Sequence, residues 1–296
     1  MKMTCNAQKR EAFAEPSDLS GVALAKTEAK DAIPSSGNLR RRNDHAGQEP
    51  HCFLAKHGER YARHLSLPEI GEKGQKKLGK SRVLIIGTGG LGSPAAYYLA
   101  AAGISTIGLM DSDVVELSNL QRQILHFTPD LGRKKTASAE DKLKMLNPDV
   151  QIKTYPIRLT SENARSILCD FDFVIDATDN FGSKILIANA CHSAGKPYSH
   201  AGVLRFFGQT MTIIPGKTAC YRCVFESPPE DPEIPQGPLG AVPGVIGSIQ
   251  AVEAIKYLLH VGDLLTNRLL TFDAIKLRFR EVPLKQNPHC LLCADA

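Results

Sequence analysis

Two Cys-x-x-Cys pairs, Cys220-Tyr-Arg-Cys223 and Cys290-Leu-Leu-Cys293, offer four thiolates at the spacing of a tetrahedral zinc knuckle split across the sequence. Four sulfur ligands close the shell, so the implied zinc has a structural task. A redox pair is the competing use, but neither pair sits in a thioredoxin-like pattern. Upstream lies a glycine loop, Gly87-Thr-Gly-Gly-Leu-Gly92. Gly87, Gly89, Gly90 and Gly92 permit a tight turn and close backbone approach to a phosphate, with helix N-terminal amides facing the anion. Asp111 follows at the distance where a carboxylate binds ribose hydroxyls. This much means a nucleotide, without choosing between a dinucleotide cofactor and ATP.

The residues after Asp111 discriminate. Asn119-Leu-Gln-Arg122-Gln123 and Lys134-Lys135 place polar and cationic groups beyond the nucleotide strand. A nicotinamide pocket is apolar and has no use for several cations, whereas charge developing on a triphosphate requires them. For Arg122 alone, a solvated surface patch is the competing reading. Ala177-Thr-Asp179-Asn180 shifts the balance, because a carboxylate at the carboxyl edge of a parallel sheet is placed to hold Mg²⁺ against phosphates. Asp179 would also suit the N-cap of the next helix, and the two roles are compatible.

These groups need a scaffold, and the hydrophobic pattern supplies one. Arg82-Val-Leu-Ile-Ile-Gly87 carries a short apolar run, as expected of a parallel strand buried on both faces. Helix and strand patterns then alternate through Ser93–Ala102, Thr106–Met110, Lys135–Leu146, Gln151–Tyr155, Ser161–Leu168, Phe173–Asp176, Phe181–Ala194 and Pro197–Ala201. The order predicts an α/β fold with a doubly wound, mostly parallel Rossmann-like sheet. Gln209–Ile214, Arg268–Phe272 and Leu277–Val282 read as antiparallel strands continuing it, and Ile246–Leu259 as a helix. His57–Leu67 has helical spacing. Residues 1–55 lack a sustained period and read as a flexible extension, leaving 56–296 as one nucleotide-binding domain. The Pro- and Gly-rich stretch of about 224–245 reads as a long functional loop.

Composition bounds the rest. A formal charge of +5 over 296 residues, with no Trp, lacks the concentrated basic stripe and stacking aromatics of a nucleic-acid binder. No apolar run in the sequence reads as a membrane span, and the N-terminus has no secretory core. The expectation is a cytoplasmic protein with reduced thiols.

The ordered series Arg60-Tyr-Ala-Arg63, Gly87–Gly92, Asp111-Ser-Asp113, Ser118-Asn-Leu-Gln-Arg-Gln123, Ala177-Thr-Asp-Asn180, Cys220–Cys223, Gly247-Ser-Ile-Gln250, Glu253-Ala-Ile-Lys256 and Cys290–Cys293 resembles the MoeB/ThiF/HesA adenylyltransferases. These are relatives of ubiquitin-activating enzymes, and within them the pattern is most similar to molybdopterin-synthase adenylyltransferases. The resemblance implies MgATP as cosubstrate and, as acceptor, the Gly-Gly tail of a ubiquitin-like sulfur carrier for molybdopterin or thiamin synthesis. The tail carboxylate attacks the α-phosphorus and pyrophosphate leaves. By position, Asp111 and Asp113 fall in the ribose motif, Asn119, Arg122, Gln123 and Lys135 in the phosphate-contacting set, and Asp179 at Mg²⁺ and the reacting centre. Arg63 matches a residue sent from a neighbouring subunit, which implies a homodimer, and 224–245 becomes a crossover loop.

One departure stands out. Val224–Gln250 contains no cysteine, and Cys169 and Cys191 read as core residues. The expectation is therefore adenylation without a thioester on this loop, with sulfur supplied by a separate donor protein. Three alternatives remain open: a peptide or other carboxylate substrate, a non-catalytic scaffold binding a ubiquitin-like partner, and an NAD-dependent oxidoreductase.

Overall fold

The computed structural model describes residues 58–225 and 237–293. The expected extension over 1–55 and residues 226–236 of the expected crossover loop lie outside them. Two short helices, α1 (Ala62–Leu65) and α2 (Gly71–Leu78), precede the sheet. Where the sequence predicts a single helix over His57–Leu67, residues 58–61 form a turn and α1 is one turn long. Pro68 accounts for the stop, since it disfavours helical geometry at Leu67 and supplies no N–H. The chain then follows the predicted alternation: β1 (Arg82–Ile86), α3 (Gly92–Ala101), β2 (Thr106–Met110), α4 (Lys135–Leu146), β3 (Gln151–Tyr155), α5 (Ser161–Leu168), β4 (Phe173–Asp176), α6 (Phe181–Ser193) and β5 (Tyr198–Leu204). It closes with β6 (Phe207–Ile213), the short α7 (Tyr221–Val224), α8 (Ala241–Leu259), β7 (Arg268–Asp273) and β8 (Arg278–Pro283).

All eight strands share one sheet in the order β3-β2-β1-β4-β5-β6-β7-β8. The first five are parallel, and the sheet continues in antiparallel pairs, β6 on β5, β7 on β6 and β8 on β7. Helices cover both faces. On one, Leu99 of α3, Leu143 of α4 and Ile246 of α8 pack on Val83 and Ile85; on the other, Leu168 and Ile187 pack with Leu84 and Val174. Alternate residues of β1 therefore serve opposite cores, which is why the run is apolar throughout.

Helix α8 corrects two expectations. It begins at Ala241, so the loop expected to end near 245 is already helical there. Pro243 fits because first-turn N–H groups have no intrahelical acceptor. By length and composition, α8 is also apolar enough to cross a membrane, with a mean hydropathy of 1.2. It is built as a core helix instead, with Gln250 and Glu253 fully buried and hydrogen-bonded within the fold.

Candidate active site

The strand order reverses at β1, with β2 on one side and β4 on the other. Beyond the carboxyl ends of strands at such a switch point a crevice opens. Gly87, Asp111 and Ala177–Asn180 all fall there, immediately after β1, β2 and β4. Two of the glycines are required sterically. Gly87 has φ 96°, and a Cβ there would lie 2.6 Å from the Ala177 carbonyl oxygen. A Cβ on Gly92 would come 2.0 Å from the Gly87 carbonyl oxygen. The loop thus folds tightly enough to leave a cavity of about 1980 Å³ above it, lined by Gly87, Gly89, Gly90, Asp111, Arg122 and Lys135 among others.

Asp111 fixes the loop as well as facing the cavity. Its Oδ2 accepts from the Thr88 N–H at 2.9 Å and the Thr88 hydroxyl at 3.0 Å, and its Oδ1 accepts from the Asp113 N–H at 3.0 Å. A carboxylate has about four acceptor positions, so capacity remains for a sugar hydroxyl. Lys135 opens α4 with a buried side chain whose ammonium donates to Asp113 Oδ2 at 3.2 Å. Burial pushes the Asp113 carboxyl up, but the Lys135 hydrogen bond and charge outweigh it and hold the group below the usual carboxylate range. Arg122 lines the cavity and donates to the Ser118 carbonyl at 3.1 Å. Gln123 is buried, and its Oε1 has no donor among the described residues.

Not every expected residue enters this cavity. Asn119 faces an adjoining pocket of about 310 Å³, shared with Asp113 and Lys135, and its Oδ1 accepts from the Glu116 N–H. Lys134 donates to the Ser112 carbonyl outside the main cavity, and Arg63 is exposed away from it. Asp179 stands exposed at the cavity rim, forming no hydrogen bond or ion pair among the described residues. The helix N-cap expected of it is Asn180, whose Oδ1 accepts from the Ser183 N–H at 2.9 Å.

Beneath that rim lies a buried polar cluster that the sequence reading overlooked. Asp176, the last residue of β4, accepts from the Thr178 N–H and hydroxyl, from Lys184 at 3.2 and 3.4 Å, and from His200 Nδ1 at 3.0 Å. The Lys184 ammonium also donates to the carbonyls of Thr178 at 2.7 Å and Ala201 at 2.6 Å. Burial works against the Asp176 charge, but the Lys184 charge and the His200 and Thr178 hydrogen bonds bring its pKa down to about 2. Burial pushes the His200 imidazole down, so it is neutral at pH 7. The available signal was a charge closing the otherwise apolar run Phe-Val-Ile-Asp176, since an ionised group there needs a partner.

His200 connects this cluster to the cysteines. Its ring packs against Tyr221 at 4.7 Å between centroids and Phe225 at 5.8 Å, on and just after α7. Cys220 and Cys223 flank Tyr221, and Cys290 and Cys293 approach from the chain's far end. The four Sγ atoms lie within 4.8 Å of one another, with close pairs at 3.5, 3.7 and 3.8 Å. Sulfurs bound tetrahedrally at about 2.3 Å stand about 3.8 Å apart, so the donor set fits zinc. Backbone N–H groups of Asn287 and Leu292 donate to Cys223 and Cys290, as thiolate ligands require. Of the two cysteines expected in the core, Cys191 is buried. Cys169 is exposed, because it caps the C-terminal end of α5 rather than sitting on its inner face.

The cavity continues past the glycine loop over the antiparallel strands, where Gly202, Gly208 and Gln209 line it beside Arg278, Phe279 and Arg280. One half is therefore bordered by the glycine loop and the cations, and the other by the antiparallel strands with an apolar and cationic border.

The ThiF family model matches residues 61–292. The chain is 41% identical over 246 residues to the sulfur carrier protein adenylyltransferase of Thermus thermophilus, covering 80% of this chain and 91% of that one. It is 42% identical over 241 residues to the SAMP-activating enzyme E1 of Haloferax volcanii, covering 80% and 89%. Among solved structures, E. coli MccB with ATP superposes with a TM-score of 0.70 at 24% identity, covering 79% of this chain and 74% of that one, a likeness of fold.

Proposed function

The chain belongs to the ThiF family, and from that premise we propose that it uses ATP to adenylate the C-terminal carboxylate of a ubiquitin-like sulfur-carrier protein, releasing pyrophosphate. The observation carrying this reading is the single cavity that joins a phosphate-type loop and its cations to a groove across β5–β8. A nucleotide fills the first half and an extended peptide tail the second, so carboxylate and α-phosphate meet near Asp179.

The tail carboxylate is already ionised at neutral pH and needs no general base. The obstacle is repulsion between two anions, together with charge gathering on pyrophosphate. Amides of the Gly87–Gly92 loop, the Arg122 guanidinium and the Lys135 ammonium screen that charge and orient the phosphates. Asp111 accepts from the ribose. Asp179, a free carboxylate beside the loop, fits a Mg²⁺ ligand, and the ion when bound would add neutralising charge at the phosphates. The four cysteines hold zinc as a structural group. Arg63, exposed and outside its own chain's cavity, fits a residue reaching the cavity of a second copy, and this supports a homodimer. The border of Phe279, Arg278 and Arg280 suits a partner with an apolar face and acidic rim.

Exchange of labelled pyrophosphate into ATP tests the reading. It should require a carrier ending in Gly-Gly, and Arg122→Ala should lower it by roughly 100-fold, the scale of removing one group that stabilises transition-state charge. Exchange stimulated by peptides but not by carriers would redirect the substrate assignment, and exchange undiminished in Arg122→Ala would refute the phosphate site.

A further inference from the structure

Every polar backbone and side-chain group of Thr88, the second residue of the glycine loop, is committed. Its N–H and hydroxyl go to Asp111, and its carbonyl oxygen faces His126 Nε2 at 3.0 Å. The other ring nitrogen, Nδ1, lies 2.9 Å from the Ser138 hydroxyl. Ser138 accepts from Lys142 at 3.1 Å, and Lys142 in turn donates to Asp130. Thr88, His126, Ser138, Lys142 and Asp130 are all buried. The chain of bonds runs unbroken from the loop to the core of α4.

A carbonyl oxygen only accepts, so Nε2 must carry the proton. With the ring neutral, Nδ1 is then the acceptor and Ser138 donates to it. Burial is the main influence lowering the tendency of His126 to protonate, and the ammonium groups of Lys135 and Lys142 act in the same direction. The Thr88 carbonyl and the Asp111 carboxylate oppose them without prevailing. Ser138 stands three residues after Lys135 on α4, one turn further along the same side of the helix. One helix therefore presents the cavity's buried cation and, through Ser138 and His126, holds the loop carbonyl.

We propose that His126 is a positioning residue that fixes the spacing between the phosphate-binding loop and Lys135 by donating from Nε2 to Thr88. The inference rests on the ATP site proposed above. His126 touches no reacting atom; it acts through Thr88.

Two amide substitutions separate the ring's nitrogens. Gln reaches about as far as Nε2 and can keep the bond to Thr88, whereas Asn reaches about as far as Nδ1 and keeps only the bond to Ser138. ATP affinity, measured by calorimetry on the full chain without carrier, should fall roughly tenfold in His126→Asn, about 1.4 kcal/mol. In His126→Gln it should stay within about twofold, even if both variants lose similar thermal stability. Equal weakening in both variants, or none in Asn, would overturn the proposal. Nitrogen-15 spectra of histidine-labelled wild-type protein provide a readout independent of folding in the variants. The expected signature is a neutral, Nε2-protonated imidazole, and a Nδ1-protonated one would overturn the proposal as well. If the wild-type chain bound no ATP at all, the proposed function would fail, whereas intact ATP binding that is insensitive to His126 would refute only this inference.

Discussion

Lys184→Met offers the sharpest test of the buried cluster under the Asp179 turn. The substitution preserves length and apolar stem but removes an ammonium that donates to Asp176 and to the carbonyls of Thr178 and Ala201. Asp176 would keep its bonds from Thr178 and from His200, which is neutral, so its charge would lie buried without a countercharge. Removing one partner from a buried pair costs about 3–5 kcal/mol. For a domain of this size that corresponds to a fall in Tm of about 6–20 °C. Asp176→Asn alone should cost a comparable amount, because its amide nitrogen would confront the donors of Lys184 or His200. The double variant removes both charges and should be more stable than the sum of the single effects by at least about 2 kcal/mol. Equilibrium urea unfolding of the four proteins, with unchanged m-values, measures this directly. Single effects that add to within about 0.5 kcal/mol would show that the two groups do not interact, and the account of the cluster would be wrong.

Further outcomes follow from the same geometry. Freshly purified protein should contain one zinc per chain, and Cys223→Ser should lose it with a lowered Tm; sub-stoichiometric metal in intact protein would refute the four-cysteine site. Gly92→Ala should abolish ATP binding or folding, since its Cβ would sit 2.0 Å from the Gly87 carbonyl oxygen, and wild-type ATP affinity in this variant would show that the loop is placed wrongly. Gly216, with φ 74° but open space around its Cβ position, should by contrast tolerate Ala with a loss of about 1 kcal/mol in thermal unfolding. Incubation with ATP and carrier should yield an acyl-adenylate but no hydroxylamine-sensitive thioester to the enzyme; detection of one by mass spectrometry would contradict the absence of cysteine from Val224–Gln250 as a guide to mechanism.

The parallel half of the sheet was legible because each strand carries its own signal. Val83–Ile86 and Phe173–Ile175 are buried on both faces, and the glycine loop and Asp111 are tied to strand ends by steric and hydrogen-bonding needs that a sequence displays. The cysteine centre was legible from ligand spacing alone. What escaped were the groups that act through others. His126 and His200 carry no spacing motif, and Lys184 looks like any helix lysine until the fold sets it against Asp176, at the end of the strand that precedes its helix. Helix α2 escaped for another reason: Gly71–Leu78 buries only Gln75 and Leu78, too little for an apolar period. The start of α8 was masked by Pro243, a breaker everywhere except the first turn, where it sits.

The cysteine centre joins positions 70 residues apart, closing a loop that contains α8, β7 and β8. Strand β8 is the outermost of the sheet and largely exposed, the place where a chain would begin to peel. An ion held by the four cysteines would clamp the chain just beyond that strand to the segment entering α7. Peeling from the C-terminal edge is then no longer a local event, since it must first break metal–sulfur bonds. With zinc in the proposed site, the wall of the groove proposed for the carrier tail would fray only when the metal is surrendered, and metal supply, rather than the strength of the sheet, would set how long that wall survives proteolysis.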